Sequence, residues 1–446
     1  MNLSHAFQIQ TGDSVAFVGG GGKSTVMFRL GKELVAAGKT VLFTTSTRIF
    51  AEQMRYVPAA VTFNPETQSV AEVRSALKKA VAEHGQVLLT GQLSGVNAFG
   101  VPADIIDTLA QSGIFDVILN EADGSRRRSF KAPAAHEPVI PATTTLVVPV
   151  VGLDVLAKPL TAEFVHRPEI VAELAGVSLA QPVTIETIAG VLTHPRGGLK
   201  NVPASARIVP VLNKLHPQNT ESARRLARLL LQSDRIRAVA VGAVSTDAPV
   251  SWVENRVAAL VLAAGEARRF GAPKQLAQWR GKSLLAHTVD TALASGAQPV
   301  TVVLGAHADT IRPMLSQKSV TVVQNADWAQ GMSTSLRAGL SALPKKIAAV
   351  VVLLADQPAV RAETVAALME RYRRTLAPLA IPAFEGKRGN PILLDRSLFA
   401  ELDRVRGDVG ARPVVQAHLS QAEIVAVPDP AILRDIDTPQ NLAELG

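Results

Sequence analysis

Short runs of apolar residues alternate with amphipathic segments along most of this chain. The apolar runs have the length of single buried strands, and the amphipathic segments repeat their apolar positions at helical spacing. Strands are predicted at 14–18, 40–44, 87–90, 117–120, 146–150, 208–212, 257–263, 299–304, 320–323, 349–354 and 379–381, and helices at 26–37, 71–84 and 220–232. This alternation predicts βαβ units and parallel sheets, which is an α/β fold.

The pattern starts afresh near residue 257, where a new apolar run leads directly into a glycine-containing loop. A similar combination already occurs at residues 14–22, so the chain begins such a domain twice. Its 446 residues are enough for two or three domains. We therefore expect two Rossmann-like three-layer αβα domains, over residues 1–250 and 257–446.

A glycine loop follows the first predicted strand and precedes a helical pattern. Its residues are Gly19, Gly20, Gly21, Gly22, Lys23, Ser24 and Thr25. Loop amides of this kind cradle phosphates, the lysine reaches the terminal phosphates, and a hydroxyl holds Mg²⁺. These residues are therefore predicted to bind a nucleotide, with Ser24 as a ligand of Mg²⁺. A full-length P-loop would have glycine in place of Phe17, and the alternative is a glycine turn whose Lys23 is merely solvated.

Two further segments bear on this first site. Glu121 and Asp123 stand just past a predicted strand, where a carboxylate can orient Mg²⁺ or water, and Asp123 is predicted to join the nucleotide site. The segment VLNKLH at 211–216 resembles the NKxD base-reading loop of GTP-binding proteins, but His216 occupies its acidic position. The sequence therefore gives no reason to expect GTP.

The strand predicted at 257–263 continues into a second glycine loop, LAAGEARRFGAPKQL. Gly265 allows the backbone to approach phosphates, and Arg269 and Lys274 supply positive charge. This combination predicts a binding site for a nucleoside triphosphate.

Two carboxylates from distant segments accompany the second loop. Asp356 follows a wholly apolar strand, and Asp437 lies near the C-terminus in DIDTP, so together they are able to clamp Mg²⁺ over a triphosphate. The alternatives are a helix N-cap for Asp356 and a cap ahead of Thr438 for Asp437. Between them, a glycine-rich turn with Gly389 and Asn390 is suited to approach a substrate.

Composition narrows the classes of partner. The 46 Lys and Arg residues outnumber the 38 Asp and Glu residues, but the excess is spread along the chain and is not interleaved with aromatic residues, so no nucleic acid is expected. The absence of cysteine excludes disulfides, thiolate metal sites and cysteine nucleophiles. No segment has the length and composition of a membrane span or a signal peptide, so we expect a cytoplasmic protein with no membrane partner.

Several segments of the first half carry a family resemblance. GGGGKST, TTSTRIF, NEADGSRRRSFKAPAAHEPVIP, VVGLDVLAKPL and VHRPE are similar to the YqeC family over most of residues 5–245. That family is named for an accessory role with selenium-dependent molybdenum hydroxylases, so the resemblance implies a P-loop NTPase-like nucleotide-binding domain. Lys131, His136 and Glu137 lie in its signature and are expected either to line the site or to be turn and surface residues.

The second half resembles the MobA/MocA-like nucleotidyltransferases, most closely the cytidylyltransferases of the molybdenum cofactor. The matching segments are LAAGEARRFGAPKQL, NADWAQGMSTSLRAGL, LLADQP, GNP, GDVGAR and DIDTP. The resemblance implies a nucleotide-diphospho-sugar transferase-like fold in which Ala263, Ala264, Gly265, Arg269 and Lys274 bind the nucleotide and Asp356 and Asp437 hold Mg²⁺. Ala267 departs from the serine of many relatives, which removes one hydroxyl contact to phosphate.

The expected reaction is Mg²⁺-dependent nucleotidyl transfer, with Arg269, Lys274, Asp356 and Asp437 as catalytic residues. The resemblance implies CTP or another NTP as donor, the molybdenum cofactor as acceptor, and a molybdenum hydroxylase apoenzyme as a further partner. One alternative is the same fold transferring GMP or acting on a sugar phosphate. Another is a nucleotide-switched cofactor chaperone or insertion factor, in which the second domain is a binding module.

Overall fold

The computed structural model describes residues 1–444 and divides the chain into two compact units, Met1–Glu254 and Asn255–Gly446. Each unit contains one main β-sheet with helices packed on it. The α/β class predicted from the alternation of apolar runs and amphipathic segments is confirmed.

The first unit is built on a ten-stranded sheet. Its strands are β1 (Asp13–Gly19), β2 (Val41–Thr45), β3 (Ala60–Thr62), β4 (Gln86–Thr90), β5 (Val117–Glu121), β6 (Leu146–Gly152), β7 (Arg207–Ile208), β8 (Val211–Asn213), β9 (Ala238–Val241) and β10 (Trp252–Asn255). Its helices are α1 (Leu3–Ala6), α2 (Lys23–Ala36), α3 (Val70–His84), α4 (Ala103–Ala110), α5 (Pro168–Ala175), α6 (Ile185–Thr193) and α7 (Thr220–Leu230).

The strand order is β10-β9-β8-β6-β1-β5-β2-β4-β3, with β7 beside β6. β1 lies between β5 and β6, and both pairings are parallel. The carboxyl ends of these three strands therefore meet at one edge of the sheet, which is where open α/β sheets bind their ligands.

Helices cover both faces of the first sheet. Leu42 packs with Leu77 of α3 and Ile106 of α4. The next residue, Phe43, presses its ring on Gly31 of α2, where a Cβ would lie only 2.0 Å from the ring. Because neighbouring strand residues point to opposite faces, α2 lies on one face and α3 and α4 on the other, which makes three layers.

Some predicted boundaries differ from those of the structure. The strand predicted at 208–212 is two short strands, β7 and β8, because Pro210 between them has no N–H for a ladder hydrogen bond. Short ribbons that the apolar pattern did not predict also occur. They pair Ile49–Phe50 and Leu93–Ser94 with Asn97–Ala98, and Phe130–Lys131 with Val165–His166.

The second unit is built on an eight-stranded sheet. Its strands are β11 (Val257–Ala263), β12 (Val300–Leu304), β13 (Thr321–Gln324), β14 (Ala349–Leu354), β15 (Leu379–Phe384), β16 (Lys387–Arg388), β17 (Ile392–Asp395) and β18 (Ala422–Ala426). Its helices are α8 (Leu284–Ala294), α9 (Ala308–Ile311), α10 (Met332–Ala342), α11 (Ala362–Thr375), α12 (Phe399–Leu402), α13 (Arg412–Ala417) and α14 (Pro439–Ala443).

This second sheet is mixed, in the order β13-β12-β11-β14-β17-β15-β16, with β18 beside β15. The prediction of a parallel sheet holds for β11 to β14 and is wrong for β17, which runs antiparallel to β14 and β15. β11 and β14 pair in register from Val257 with Ala349 to Leu262 with Leu354. The loops that leave these two strands are therefore neighbours at one edge of the sheet.

Candidate functional sites

The glycine loop of the first unit leaves the carboxyl end of β1 and enters α2 at Lys23. Its backbone packs directly on the backbones of neighbouring loops. A Cβ on Gly21 would lie 2.0 Å from the backbone N of Gly152, and one on Gly20 would lie 2.5 Å from the carbonyl O of Arg128. Glycine is required at both positions because no side chain fits there, and this packing holds the loop in one shape.

Lys23 and Ser24 contact the same carboxylate. Lys23 Nζ donates a hydrogen bond to the carbonyl O of Gly19 at 2.8 Å and lies 3.7 Å from Glu121 Oε1. Ser24 Oγ donates to Glu121 Oε2 at 2.7 Å. Burial raises the pKa of Glu121, although Lys23 and Ser24 oppose the shift. Because Lys23 is only 4% exposed, the alternative of a merely solvated lysine is wrong.

Asp123 lies behind the glycine loop. Both of its carboxylate oxygens accept the N–H of Gly19, at 3.1 and 3.0 Å, and Lys23 Nζ lies 3.3 Å from Oδ1. The carboxylate beside the Ser24 hydroxyl is Glu121, which the sequence analysis noted without assigning it to the site. Asp123 therefore holds the loop through the backbone of Gly19, whereas Glu121 and Ser24 line one cavity together.

A buried ionic network continues from Asp123. Lys131 Nζ lies 3.1 Å from Asp123 and 2.7 Å from Glu137, and Arg167 Nη1 lies 2.6 Å from the same oxygen of Glu137. Burial opposes ionisation of Glu137, but hydrogen bonds from Arg167 and Lys131 outweigh it and lower the pKa of Glu137 to about 2. Of the three signature residues, Lys131 and Glu137 are therefore internal, whereas His136 is exposed.

Replacing Glu137 with glutamine should make the stability of the protein less sensitive to acid. Since the pKa of Glu137 is about 2 in the folded protein and 4.5 ordinarily, its carboxylate stabilises the fold fully above pH 4.5, and this contribution is lost as the pH falls towards 2. We expect the variant to be less stable at neutral pH and to lose less melting temperature than the wild type over that window. Thermal unfolding at neutral pH and at lower pH measures both effects. The control Glu163→Gln, at an exposed site, should show the same dependence of melting temperature on pH as the wild type. If the melting temperatures of Glu137→Gln and the wild type fell equally with pH, the low pKa assigned to Glu137 would be contradicted.

A cavity of about 900 Å³ opens in front of the glycine loop. The predicted nucleotide-binding residues that line it are Gly21, Gly22, Lys23, Ser24 and Thr25. On one side of the cavity, Asn213 joins two loops, because its Nδ2 donates to the carbonyl O of Gly21 at 2.8 Å and its Oδ1 accepts the N–H of Val244 at 3.0 Å. Lys214 lines the cavity beside it, while His216 caps a short turn by accepting the N–H of Gln218.

The second glycine loop is held by a buried glutamine. Gln275 is 2% exposed, and its Nε2 donates to the carbonyl O of Ala263 at 3.0 Å and to that of Gly265 at 2.8 Å. The sequence analysis missed Gln275; its one signal is a polar residue directly beside Lys274 in the loop. A cavity of about 340 Å³ lies here. Its lining includes Ala263, Ala264, Gly265, Arg269, Lys274, Asp356 and Asp437.

A single lysine connects the two predicted carboxylates. Lys274 Nζ donates to Asp356 Oδ2 at 2.8 Å and to Asp437 Oδ1 at 3.3 Å. Arg269 Nη2 lies 2.9 Å from Asp437 Oδ2. Three segments that are far apart in sequence are therefore joined by ion pairs at the mouth of one cavity.

Neither aspartate caps the helix that follows it, so both alternative roles are wrong. The residue before α11 is Arg361, and Thr438 caps α14 by accepting the N–H of Asn441. Within residues 1–444, Oδ1 of Asp356 is buried and has no hydrogen-bond partner. Carboxylate oxygens are the ligands that Mg²⁺ prefers, so this donor set fits part of a Mg²⁺ shell.

Polar contacts of Gln357 and Asp356 support the segment that carries Asp437. Gln357 Nε2 donates to Asp435 Oδ1 at 2.7 Å, and the N–H of Ile436 donates to the carbonyl O of Asp356 at 2.9 Å. Burial, reinforced by the charge of Asp356, raises the pKa of Asp435. These contacts tie the Asp437 segment to the end of β14.

The glycine-rich turn lies in a different cavity of about 980 Å³. Gly389 and Asn390 line it together with Lys387, Arg388 and Arg412, over a floor that includes Leu336 and Ile381. A Cβ on Gly389 would lie 2.1 Å from the carbonyl O of Ile432, so only glycine fits there. Leu262, Met332 and Leu354 line both this cavity and the smaller one, which makes the two cavities neighbours.

No helix in the described residues 1–444 is long and apolar enough to cross a membrane.

Comparison with known proteins divides the chain in two. Residues 15–169 match the family described as YqeC protein, and residues 259–422 match the MobA-like NTP transferase domain. The chain is 32% identical over 230 residues to the uncharacterized protein YqeC of Escherichia coli K12, which covers 51% of this chain and 86% of that protein.

Two relatives of the second unit have different names. The nicotine blue oxidoreductase of Paenarthrobacter nicotinovorans is 31% identical over 196 residues, covering 42% of this chain and 96% of that protein. The purine catabolism protein PucB of Bacillus subtilis is 32% identical over 195 residues, covering 40% of this chain and 90% of that protein.

Proposed function

Because the chain belongs to the YqeC family through its first unit and to the MobA-like NTP transferase family through its second, we propose that the second unit transfers CMP from CTP to the molybdopterin form of the molybdenum cofactor. The reaction depends on Mg²⁺ and releases pyrophosphate. The second unit is a nucleotidyltransferase domain, and beyond this we propose its donor base, its metal and its acceptor.

The observation that carries this proposal is the contact of Lys274 with Asp356 and Asp437 beside the glycine loop. Nucleotidyl transfer needs a cation for the triphosphate and carboxylates for a divalent metal at the same place. The names of the two relatives refer to different processes, so membership of the family does not by itself decide the reaction. The side chains around Lys274 support nucleotidyl transfer.

In the proposed reaction, a phosphate oxygen of the acceptor attacks the α-phosphorus of the NTP. A new P–O bond forms, the bond between the α-phosphorus and the bridging oxygen breaks, and pyrophosphate leaves. Lys274 and Arg269 stabilise the negative charge of the triphosphate and of the leaving group. A phosphate ester is already ionised near neutral pH, so no general base is needed and catalysis consists of positioning and charge stabilisation.

Asp356 and Asp437 are the residues that would hold Mg²⁺. The bound ion would neutralise the phosphates and align the leaving group with the attacking oxygen. Lys274 bridges the two carboxylates, so contact with the phosphates would require it to exchange at least one of these partners.

The larger neighbouring cavity is the proposed acceptor site. Its lining contains Lys387, Arg388 and Arg412 and, among the described residues, no acidic side chain, which suits an anionic acceptor. Its floor of leucine, isoleucine and valine suits a flat, partly apolar ring system such as a pterin. Gly389 and Asn390 approach the same space from the turn between β16 and β17.

A second function is proposed for the first unit, on the observation that Lys23, Ser24 and Glu121 meet at its large cavity. We propose that this unit binds a nucleotide with Mg²⁺ and acts as an accessory domain in the maturation of a molybdenum hydroxylase apoenzyme in the cytoplasm. We further propose that the first unit is a nucleotide-switched chaperone, which inserts the cofactor made by the second unit.

Product analysis with the full chain tests the transferase proposal. The protein is incubated with Mg²⁺, molybdenum cofactor and each of the four NTPs labelled at the α-phosphate, and we expect pyrophosphate and a labelled dinucleotide with CTP. A product with GTP alone, or with a sugar phosphate as acceptor, would favour those alternatives. Failure of CTP to give either product would contradict the proposal.

Replacing Asp356 with asparagine should lower the rate of this transfer at least about 100-fold, because the charge that holds the metal over the triphosphate is lost. The measurement is the rate of pyrophosphate release over a range of Mg²⁺ concentrations. Asp403→Asn, at an exposed site outside both cavities, is the matched control and should retain the wild-type rate. Full activity of Asp356→Asn would contradict the metal assignment.

A further inference from the structure

The cavity of the first unit is formed by loops from both sides of β1. Lys214 follows β8 and Ser245 follows β9 on one side, whereas Arg48 follows β2 and Arg127 follows β5 on the other. The glycine loop lies between these sides, so the cavity has two halves. Its volume of about 900 Å³ is near the upper end of the range of roughly 300–1,000 Å³ for small-molecule sites.

A nucleotide bound at the glycine loop leaves one of these halves open. Ser24 and Glu121 lie on the β5 side of the loop, so a metal that they held would neutralise the terminal phosphates on this side. The nucleoside then extends to the opposite side, where Lys214 lies. This step rests on the proposed nucleotide binding by the first unit, and it places the terminal phosphate next to the half that contains Arg48 and Arg127.

That second half, here called the arginine–aromatic lobe, consists of Arg48, Phe50, Tyr56, Arg126 and Arg127. Phe50 and Tyr56 are 41% and 47% exposed, which is unusual for rings of this size. The guanidinium carbon of Arg127 lies 4.8 Å from the centre of the Phe50 ring. Within residues 1–444, none of the three arginines has a carboxylate in ion-pair distance. Glu52 also lines this half of the cavity, but it pairs with Arg55, so the lobe carries net positive charge beside two partly exposed rings.

The backbone that presents two of these arginines is strained. Arg126 and Arg127 have φ of 48° and 61°, in the left-handed region that non-glycine residues seldom adopt. The same loop is joined to the glycine loop, because the N–H of Gly21 donates to the carbonyl O of Arg128 at 2.9 Å. The backbone that carries the two arginines is therefore held next to the glycine loop.

We propose that the arginine–aromatic lobe is a second binding site, beside the terminal phosphate of the nucleotide, for a planar aromatic molecule that carries at least one negative charge. The ring stacks on Phe50 or Tyr56, and the anionic group pairs with Arg126, Arg127 or Arg48. The first unit then holds a nucleotide and a ring-bearing anion at the same time, on opposite sides of one glycine loop.

Flavin fluorescence provides the test, with FMN as the anionic probe and riboflavin as its neutral counterpart. The full chain is saturated with Mg²⁺ and a non-hydrolysable ATP analogue, and FMN is titrated while quenching of the flavin by stacking is followed. We expect FMN to bind in the presence of the analogue and riboflavin to bind at least about tenfold more weakly. Arg126→Ala/Arg127→Ala should weaken FMN binding by a similar factor without changing the affinity for the analogue, and Tyr56→Ala should reduce the quenching.

The double variant Arg74→Ala/Arg237→Ala is the matched control, since it removes two exposed arginines outside the cavity. It should bind FMN as the wild type does. The proposal would be overturned if FMN did not bind, or if the two arginine double variants bound FMN equally well. It would also be overturned if the ATP analogue displaced FMN, because the lobe would then hold the base of the nucleotide itself. Failure of the analogue to bind would instead contradict nucleotide binding by the first unit, while the FMN titrations without analogue still test the lobe.

Discussion

Substitution of Lys274 by methionine is expected to lower kcat/KM for nucleotidyl transfer by about 100- to 1,000-fold, the range found when one charge-stabilising donor is removed from a transition state. The effect has two sources. The triphosphate and the leaving pyrophosphate lose a cation, and Asp356 and Asp437 lose the lysine that neutralises them in the free protein. The incoming triphosphate then meets two uncompensated carboxylates.

Steady-state kinetics over a range of NTP and Mg²⁺ concentrations measures this loss. Because Lys274 contacts both carboxylates, we expect Lys274→Met to raise the Mg²⁺ affinity of the free protein while it lowers the rate, a pattern that general unfolding does not give. Lys282→Met is the matched control, since Lys282 is exposed and pairs with Asp290 outside the cavity. A rate within about threefold of wild type for Lys274→Met would remove this residue from the proposed mechanism.

The parts of both sites that follow a strand could be predicted from sequence because their position depends on local pattern alone. An apolar run that ends in glycine predicts a strand followed by a loop at the edge of the sheet, and this holds for the loops at Gly19 and Gly265, both of which line cavities. Asp356 follows the same logic, since the strand before it, β14, pairs in parallel with β11. The prediction of Asp437 rested on its chemistry as a second carboxylate and on the family resemblance, because the short segment around it has no strand pattern of its own.

The parts that could not be predicted depend on contacts between distant segments. Glu121 and Asp123 are two residues apart and chemically alike, yet only the packing of the glycine loop decides that Asp123 accepts the N–H of Gly19 and that Glu121 contacts Ser24. Gln275 is a similar case, because its role depends on how its own loop folds back, which brings its side chain to the carbonyl groups of Ala263 and Gly265. The antiparallel β17 was missed because the chain reverses at the short turn of Glu385 and Gly386 after β15, and the sequence around this turn reads only as a glycine-rich loop.

Substitution of Lys23 by methionine is expected to weaken nucleotide binding by the first unit by about 10- to 150-fold, which corresponds to the roughly 1.5–3 kcal/mol of a hydrogen bond to a charged group. The second unit is expected to bind nucleotides as well, so the measurement uses a Lys274→Met background and equilibrium titration with ATP, GTP and CTP. The matched control is Lys39→Met, which removes a partly exposed lysine that donates to Thr11 outside the cavity, and it should bind as the background does.

Lys23→Met also leaves Glu121 and Asp123 buried without this cation, and breaking such buried pairs costs about 3–5 kcal/mol of folding stability. Ser24→Ala therefore accompanies it, because that variant keeps every charge and removes only the hydroxyl beside Glu121. If the first unit binds its nucleotide with Mg²⁺, Ser24→Ala should weaken binding when Mg²⁺ is present and have little effect when the ion is chelated. The glycine loop of the first unit would not be a nucleotide site if Ser24→Ala and folded Lys23→Met both bound nucleotide as tightly as their background protein.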